Sequence, residues 1–170
     1  MGSKMQNTLI IIRGPLGVGK TTISKILAER IGAKHISIDK LLEDAKLDRV
    51  DPKLGCIPVA NFLAVEEDIL EDIKKFLERQ SVIVEGNFYY KEQIDFFAKN
   101  LKHEKMFVVT LKAKLETCIN RNRKRGGILK DKDVQEVYAL VKRFDSSFVV
   151  DVEGKTREQI VEQIQKGMRA

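Results

Sequence analysis

The chain alternates between short apolar runs of strand length and longer stretches with the apolar spacing of an amphipathic helix. The first run, Thr8–Arg13, is β-branched and almost unbroken, which is typical of a strand buried on both faces. In Lys20–Ile31, apolar side chains recur on one face, which predicts a helix. The same reasoning predicts four further strands at Lys34–Ile38, Ser81–Glu85, Lys105–Leu111 and Ser147–Asp151. It predicts further helices at Ala60–Gln80, Lys91–Leu101, Lys114–Arg125, Asp131–Arg143 and Thr156–Met168.

Five predicted strands that alternate with helices favour an α/β fold, in which helices cover both faces of a parallel sheet. Right-handed crossovers bring the C-terminal ends of the strands to one edge, where sheets of this kind bind ligands. We therefore expect the functional side chains at that edge. It is formed by the residues that follow Arg13, Ile38, Glu85, Leu111 and Asp151.

Composition narrows the class of protein. The chain has 170 residues, of which 43% are hydrophobic and 33% charged, so it can build the core of one domain and is not a disordered chain. The net charge of +6 suits ligands that carry phosphate but does not establish nucleic-acid binding. Cys56 and Cys118 lack the spacing of a disulfide framework or a zinc site, and no apolar run is long enough for a membrane span. We expect a monomeric cytoplasmic protein, and we expect Met1–Lys4 to be a cloning leader before a native Met5.

The turn between the first strand and the first helix is rich in glycine. Its sequence, GPLGVGKT, fits the G-x-x-x-x-G-K-[ST] pattern of a phosphate-binding loop, the Walker A motif. Gly14, Gly17 and Gly19 permit torsions that turn backbone N–H groups towards a phosphate, and the helix adds its N-terminal donors. Lys20 can reach the β- and γ-phosphates, and the Thr21 hydroxyl can ligate Mg²⁺. The alternative is a glycine-rich turn without a ligand. The residues expected to bind ATP are Gly14, Pro15, Leu16, Gly17, Val18, Gly19, Lys20, Thr21 and Thr22.

Two acidic residues follow predicted strands at the ligand-binding edge. Asp39 could accept a proton from an acceptor hydroxyl and orient it for attack on the γ-phosphate. Alternatively, it caps a helix that begins at the next residue. Glu85 could hold a Mg²⁺-bound water together with Thr21, or contact the acceptor; alternatively, it is a partly exposed strand-end acid. The residues that could line an acceptor pocket, or pack in the core, are Asn87, Tyr89 and Tyr90.

Basic side chains cluster at the end of the fourth predicted helix. Arg121 and Arg125 are four residues apart and share a face, whereas Arg123 points elsewhere. A guanidinium that closes over the transferring phosphoryl group lowers the barrier, and the two glycines that follow form the expected hinge. We expect a lid over about residues 121–133, with Arg121 and Arg125 as catalytic contacts. The alternative is a solvated basic face. His35 and His103 are expected to be structural.

The loop Gly14–Thr21, together with Asp39, Glu85 and the Arg121–Arg125 cluster, resembles the P-loop kinases related to nucleoside monophosphate kinases. Within them, the chain is most similar to the small AAA-33 type ATP-binding proteins. Chloramphenicol phosphotransferase, zeta toxin and polynucleotide kinase share the general layout, and shikimate and gluconate kinases are more distant. The resemblance spans about residues 8–168, and the phosphate loop is its specific motif.

The resemblance implies a three-layer P-loop NTPase fold in a single domain, with five parallel strands in the order 2-3-1-4-5. It implies transfer of the γ-phosphoryl group of ATP, bound with Mg²⁺, with Asp39 as the base and Arg121 or Arg125 as lid arginines. It also implies that residues 151–156 help to hold the adenine and that residues 50–58 cover the acceptor. The family more often carries Asp at the end of the third strand. The segment after the lid glycines has no cysteines for a zinc-bearing lid.

Three functions remain open from the sequence. The first is a kinase that phosphorylates a hydroxyl of a small molecule, nucleoside or nucleotide. The second is a kinase for a polynucleotide 5′-hydroxyl or a tRNA, which the basic balance permits without favouring it. The third is a nucleotide-dependent switch or NTPase, which would have no acceptor pocket between Asp39 and Glu85. The sequence identifies neither the acceptor nor the base of the nucleotide, although the absence of a guanine-reading motif favours ATP.

Overall fold

The computed structural model describes residues 6–170, so the leader expected at residues 1–4 lies outside the described residues. Within them, the strands are β1 (Thr8–Arg13), β2 (Lys34–Ser37), β3 (Val82–Gly86), β4 (Lys105–Lys112) and β5 (Phe148–Asp151). The helices are α1 (Lys20–Ile31), α2 (Ile38–Asp44), α3 (Val59–Leu77), α4 (Lys91–Asn100), α5 (Leu115–Lys124), α6 (Asp131–Val141) and α7 (Arg157–Arg169). None of these helices combines the length and the apolar composition that crossing a membrane requires.

All five strands pair in parallel in one sheet with the order β2-β3-β1-β4-β5. This confirms the expected fold class and strand order. The central strand, β1, pairs with β3 on one side and β4 on the other, so that Ile12 lies opposite both Glu85 and Val109. Since the strands share one direction, their C-terminal ends meet at one edge of the sheet, where the phosphate loop also begins.

The buried apolar side chains form two clusters, one on each face of the sheet. Alternate residues of β1 divide between them, because successive side chains of a strand point to opposite faces. Ile10 and Ile12 join the cluster that includes residues of α1, α5 and α7, whereas Leu9 and Ile11 join the cluster that includes residues of α2, α3 and α4. Every residue of β1 is buried, which explains its unbroken apolar sequence.

The structure corrects the expected boundary between β2 and the next helix. The strand ends at Ser37, and α2 begins at Ile38, one residue before Asp39. Ser37 is the N-cap, and its side-chain oxygen accepts a 3.4 Å hydrogen bond from the Lys40 N–H. The alternative that Asp39 is the cap is therefore wrong. Asp39 lies in the first helical turn, where a carboxylate is favoured by the helix dipole.

Arg13, at the end of β1, is fully buried and anchors the start of the phosphate loop. Its Nε donates to the Phe88 carbonyl, its Nη1 to Thr110 Oγ1 and the Phe144 carbonyl, and its Nη2 to the Val141 carbonyl, at 2.8–3.2 Å. Burial lowers the pKa of this guanidinium to about 10. These bonds join the central strand to the loop after β3 and to the C-terminal end of α6. The sequence analysis did not single out Arg13.

Candidate active site

Two glycines of the phosphate loop pack closely against neighbouring backbone, and each is required for a different reason. Gly17 has a φ of +81°, and a Cβ added there would lie 2.6 Å from the Cys118 carbonyl oxygen. Gly14 has no positive φ, but its Cβ would lie 2.9 Å from the Leu111 carbonyl oxygen. The expectation that Gly14 is needed for its torsion is therefore wrong, since it is needed for space. Gly19, with a φ of +101°, precedes α1 as its N-cap.

Lys20 points into the phosphate loop. It is buried, and its Nζ donates a 2.9 Å hydrogen bond to the Pro15 carbonyl. Burial lowers the pKa of this ammonium group, although the nearby carboxylates of Asp39 and Glu85 act in the opposite direction. The ammonium group therefore lies within the loop and near the carboxylates of Asp39 and Glu85. The sequence predicted that it would contact phosphate oxygens at this position.

Thr21 and Glu85 are in direct contact. Thr21 Oγ1 donates a 2.9 Å hydrogen bond to Glu85 Oε1, and His35 Nε2 lies 3.6 Å from the same oxygen. Glu85 is 1% exposed, so the alternative of a partly exposed acid is wrong. Burial alone would raise the pKa of this carboxyl, but His35, Lys20 and Thr21 together lower it. An ionised carboxylate beside a hydroxyl offers the oxygen ligands that Mg²⁺ prefers, so the two residues expected at the metal fit that ion.

The neighbourhood of these two residues is not a preformed cage. Among residues 6–170, no group of three or more His, Cys, Asp or Glu side chains is arranged to hold a metal ion. Magnesium commonly binds through one or two protein oxygens together with phosphate oxygens and water. The pair Thr21 and Glu85 matches that mode of binding.

Asp39 lies beside the loop at the edge of an open cleft. Asp39 as a residue is exposed to solvent, although its carboxyl group lies near Lys20 and Glu85. Burial raises the pKa of this carboxyl, Lys20 lowers it, and Glu85 raises it, and the net effect is a raised pKa. A carboxylate whose pKa is raised is a stronger proton acceptor than an ordinary aspartate.

The three arginines expected in the lid have different surroundings. Arg121 Nη1 donates a 3.0 Å hydrogen bond to the Val18 carbonyl, so this side chain already contacts the phosphate loop. Arg123 points away, as predicted, and it forms an ion pair with Asp131. Arg125 ends α5 and borders two separate clefts. The two glycines that follow have φ angles of +102° and +60°, which only glycine adopts readily.

One of these clefts, which we call the basic cleft, lies beside the loop and the start of α1 and has a volume of about 270 Å³. Its lining includes Gly17, Gly19 and Thr22 and, among the described residues, no acidic residue. A cavity of this charge beside a phosphate loop suits a polyphosphate. The basic side chains that line it are Arg121, Lys124, Arg125, Lys155 and Arg157.

The second cleft, which we call the acidic cleft, lies on the other side of the loop and has a volume of about 640 Å³. It lies between α2, the segment that follows it, the end of β3 and α6, and Leu16 of the phosphate loop lines it. Arg125 is its only basic side chain among the described residues. Its acidic side chains are Asp39, Glu43, Asp48, Asp133 and Glu136.

Two tyrosines after β3 shape the acidic cleft. The Tyr89 hydroxyl accepts a 3.1 Å hydrogen bond from the Ile57 N–H, and the Tyr90 hydroxyl donates a 2.9 Å bond to the Ile57 carbonyl. Tyr89 and Asn87 line the cleft, whereas Tyr90 does not. Both predicted possibilities therefore occur, because Tyr89 also packs against Phe62 with ring centroids 5.3 Å apart. The tyrosines fasten the segment around Ile57 as a wall of the cleft.

Several residues of the site were missed by the sequence analysis. His35 was expected to be structural, but it lies beside Glu85. Ser37 pairs with Glu85 in the sheet, and parallel partners share a face, so His35 two residues earlier points to the same side. The sequence alone does not give this register. The acids Glu43, Asp48 and Glu136 come from separate elements, and no local pattern connects them.

Comparisons with known proteins agree with this architecture. A model of a family described as "AAA domain" matches residues 10–143. A protein of Pyrococcus abyssi (strain GE5 / Orsay) named "Putative adenylate kinase" is 32% identical over 167 residues, which cover 92% of this chain and 81% of that protein.

Solved structures share the fold at low sequence identity. The APS kinase CysC of Mycobacterium tuberculosis, in complex with AMPPNP and APS, has a TM-score of 0.74 at 11% identity, and the match covers 97% of this chain and 99% of that one. A gluconokinase from Sinorhizobium meliloti 1021 has a TM-score of 0.69 at 17% identity, with 98% of this chain and 94% of that one covered. At these identities the likeness supports the fold and not the substrate.

Proposed function

This chain belongs to the AAA domain family of P-loop kinases, and we propose that it transfers the γ-phosphoryl group of ATP to a hydroxyl group of a small molecule. The observation that carries the proposal is the arrangement of two clefts of opposite charge on either side of the phosphate loop, with Arg125 bordering both. A donor and an acceptor that occupy these clefts would meet at the end of the loop.

On the donor side, the phosphates of ATP would lie against the N–H groups of the phosphate loop and the N-terminal end of α1. Lys20 would exchange its bond to the Pro15 carbonyl for phosphate oxygens. The described part of the chain places basic but no acidic side chains in the basic cleft, so this cleft attracts the triphosphate. Lys155 lies in this lining, which supports the expected contribution of residues 151–156 to nucleotide binding.

Thr21 and Glu85 would hold Mg²⁺, Thr21 through its hydroxyl and Glu85 through its carboxylate or a bound water. Bound there, the ion supplies positive charge that offsets the charge of the phosphates. His35 Nε2 lies 3.6 Å from the same Glu85 oxygen that Thr21 contacts.

On the acceptor side, the hydroxyl oxygen attacks the γ-phosphorus while the bond to the β-phosphate oxygen breaks and ADP leaves. Asp39 accepts the proton of the hydroxyl, for which its raised pKa suits it. Arg121 and Arg125 balance the negative charge spread over the transferring group.

The other two hypotheses fit the clefts less well. A switch without an acceptor pocket does not explain a cavity of about 640 Å³ at this edge. A polynucleotide would bring its phosphates against five carboxylates, which is electrostatically unfavourable. We place the enzyme in the cytoplasm, where ATP and Mg²⁺ are available and Cys56 and Cys118 remain as the free thiols found here.

The proposal is tested by mixing the protein with γ-labelled ATP, Mg²⁺ and a broad panel of hydroxyl-bearing metabolites and nucleosides. We expect the wild-type protein to bind ATP and to transfer label to at least one member. In Lys20→Ala, transfer should fall by about 100-fold or more. The control is Lys166→Ala, an exposed lysine of α7 outside both clefts, which should keep the activity.

Circular dichroism would establish that both variants are folded. An unchanged affinity for ATP in the folded Lys20→Ala protein would overturn the proposal, as would ATP binding without transfer to any member of the panel.

A further inference from the structure

The charge of the acidic cleft is opposite to that of the chain. The chain carries a net charge of +6, and yet five carboxylates and one guanidinium line this cleft. Glu43 and Glu136 have lysines of their own helices at 3.8 Å, which is a long and solvated contact. Asp39 and Asp48 have no ion pair among the described residues. The cleft thus retains negative charge that a bound molecule would have to match.

A second observation is independent of these acids. Asn87 is 8% exposed and lines the cleft, and its buried Oδ1 has no hydrogen-bond partner within residues 6–170. An unpaired buried acceptor is costly, so such atoms normally have a partner in the working state of a site. A hydroxyl or an ammonium group of a ligand in the cleft would satisfy this oxygen after the Asn87 side chain turns towards the cleft, because the oxygen itself is not accessible in the orientation shown.

Most of the remaining wall of the cleft is apolar. Its residues include Leu16, Leu42, Ile57, Leu129 and Val137, which come from both sides of the opening. The cavity of about 640 Å³ falls within the range of roughly 300–1,000 Å³ for pockets that bind small molecules. The occupant is therefore a small molecule with an apolar part as well as hydrogen-bond donors.

We propose that the acceptor is an amino alcohol, that is, a hydroxyl compound that also carries a protonated amine. This inference rests on the proposed function and names the substrate class of the same site. The ammonium group lies among the carboxylates of Asp48, Asp133 and Glu136, while the hydroxyl meets Asp39. The amine is not a reactant, and the proton released in the transfer is the one on the hydroxyl.

Anionic acceptors do not fit the same cleft. A nucleoside monophosphate or a sugar acid would place its negative group near several carboxylates of the acidic cleft. The guanidinium that could balance this charge is that of Arg125, which also borders the basic cleft. Selectivity of this kind comes from repulsion of the wrong ligand as much as from attraction of the right one.

The test compares compounds that share one hydroxyl and differ in charge. The probes are 2-amino-1-phenylethanol, its N-acetyl derivative and mandelate, together with glucosamine, N-acetylglucosamine, gluconate and AMP. Each is offered with γ-labelled ATP and Mg²⁺, and each is tested for stabilisation of the protein against heat. We expect binding and transfer with the amines, and a fall in kcat/KM of about 10- to 100-fold on N-acetylation, as for the loss of a charged hydrogen bond.

Variants locate the effect in the cleft. Asp48→Asn and Glu136→Gln should each raise the KM for the amine by about tenfold and leave the KM for ATP unchanged. Asp68→Asn, an exposed acid of α3 outside the cleft, is the matched control and should change neither value. The comparison with this control therefore distinguishes a charge that acts on the acceptor from a general change in surface charge.

The inference and the proposed function fail in different ways. Transfer to the phosphate of AMP overturns both, whereas transfer to a hydroxyl of AMP, gluconate or the acetylated compounds in preference to the amines overturns the inference and leaves the proposed function intact. The same conclusion follows if no amine binds or reacts, or if Asp48→Asn and Glu136→Gln behave like the control. Loss of ATP binding and of all transfer in the wild-type protein overturns the proposed function itself.

Discussion

Gly17 combines two constraints that can be separated by substitution. A side chain there must adopt a φ of +81° and must also displace the Cys118 carbonyl. We expect Gly17→Ala to lower the affinity for ATP by about tenfold or more, because the loop has to move away from α5. Calorimetric titration with ATP would measure this loss.

Gly32 provides the comparison for Gly17. It has a φ of +66° with nothing within 4 Å of an added Cβ. Gly32→Ala should therefore cost about 1 kcal/mol of stability from the backbone alone and leave ATP affinity unchanged. Equal affinities for ATP in the two variants would contradict the close packing of the phosphate loop on α5.

Glu66 is a buried carboxyl whose titration should be visible in the stability of the fold. It is fully buried between α3 and α4, where Oε1 accepts a 2.9 Å hydrogen bond from Gln93, and burial raises its pKa to about 8. Between pH 4.5 and 8 the folded protein keeps a proton that the unfolded chain releases. The free energy of unfolding should therefore fall as the pH rises, by at most about 1.4 kcal/mol per pH unit.

Denaturation with urea at several pH values between 5 and 9 measures this slope. Glu66→Gln should flatten it, since the amide does not titrate. Glu67→Gln, at the exposed neighbouring position, should keep the slope of the wild-type protein. Parallel profiles for Glu66→Gln and the wild-type protein would show that Glu66 is not the group responsible.

The segment between α2 and α3 depends on the tyrosines after β3 for its position. Tyr90→Phe removes the hydrogen bond to the Ile57 carbonyl, which is worth about 1 kcal/mol. Amide hydrogen exchange in residues 48–57 should then be about fivefold faster. Tyr138→Phe also removes a bond from a tyrosine hydroxyl to a carbonyl, that of Ala113, but outside the acidic cleft, and it should leave exchange in this segment unchanged. Equal exchange in both variants would contradict the role given to Tyr90.

The elements themselves were largely predictable from the sequence. The observed bounds of β1 and α1 agree with the predicted ones, because a β-branched run, a glycine-rich turn and an amphipathic stretch follow one another without ambiguity. The prediction was wrong at Ile38, because a single buried apolar residue is compatible with the period of a strand and of a helix. In the structure, Ile38 packs in the core beside β3, and the helix begins at this residue instead of after it.

Residues of the site could be predicted from the sequence where they belong to one contiguous motif, and not where they come from separate elements. The phosphate loop is a contiguous motif, so its residues could be identified before the structure was known. The acidic side chains of the acidic cleft come from α2, the segment that follows it and α6. They are distant in sequence and are brought together only when the chain folds. Arg13 was not recognised, since a basic residue at a strand end gives no indication that three carbonyl groups from two separate segments surround it.

At the scale of the whole molecule, one cleft of the enzyme is lined by basic side chains and the other mainly by acidic ones. The affinity for nucleotide should therefore depend on the salt concentration. Arg157 borders the basic cleft at the start of α7. Arg157→Gln should weaken ATP binding by about three- to tenfold at low ionic strength and by less at about 1 M salt, where charges are screened. Arg169→Gln, at the other end of the same helix, is the control and should have no effect. An equal loss at both salt concentrations would rule out an electrostatic origin.

The position of Arg125 at the boundary of both clefts has a thermodynamic consequence. A charge that contacts two occupants makes their affinities interdependent, and such interdependence is reciprocal. If ATP alters the dissociation constant of the acceptor by some factor, the acceptor must alter that of ATP by the same factor. Neutralising this one guanidinium would then uncouple the two equilibria, even where each occupant still binds on its own.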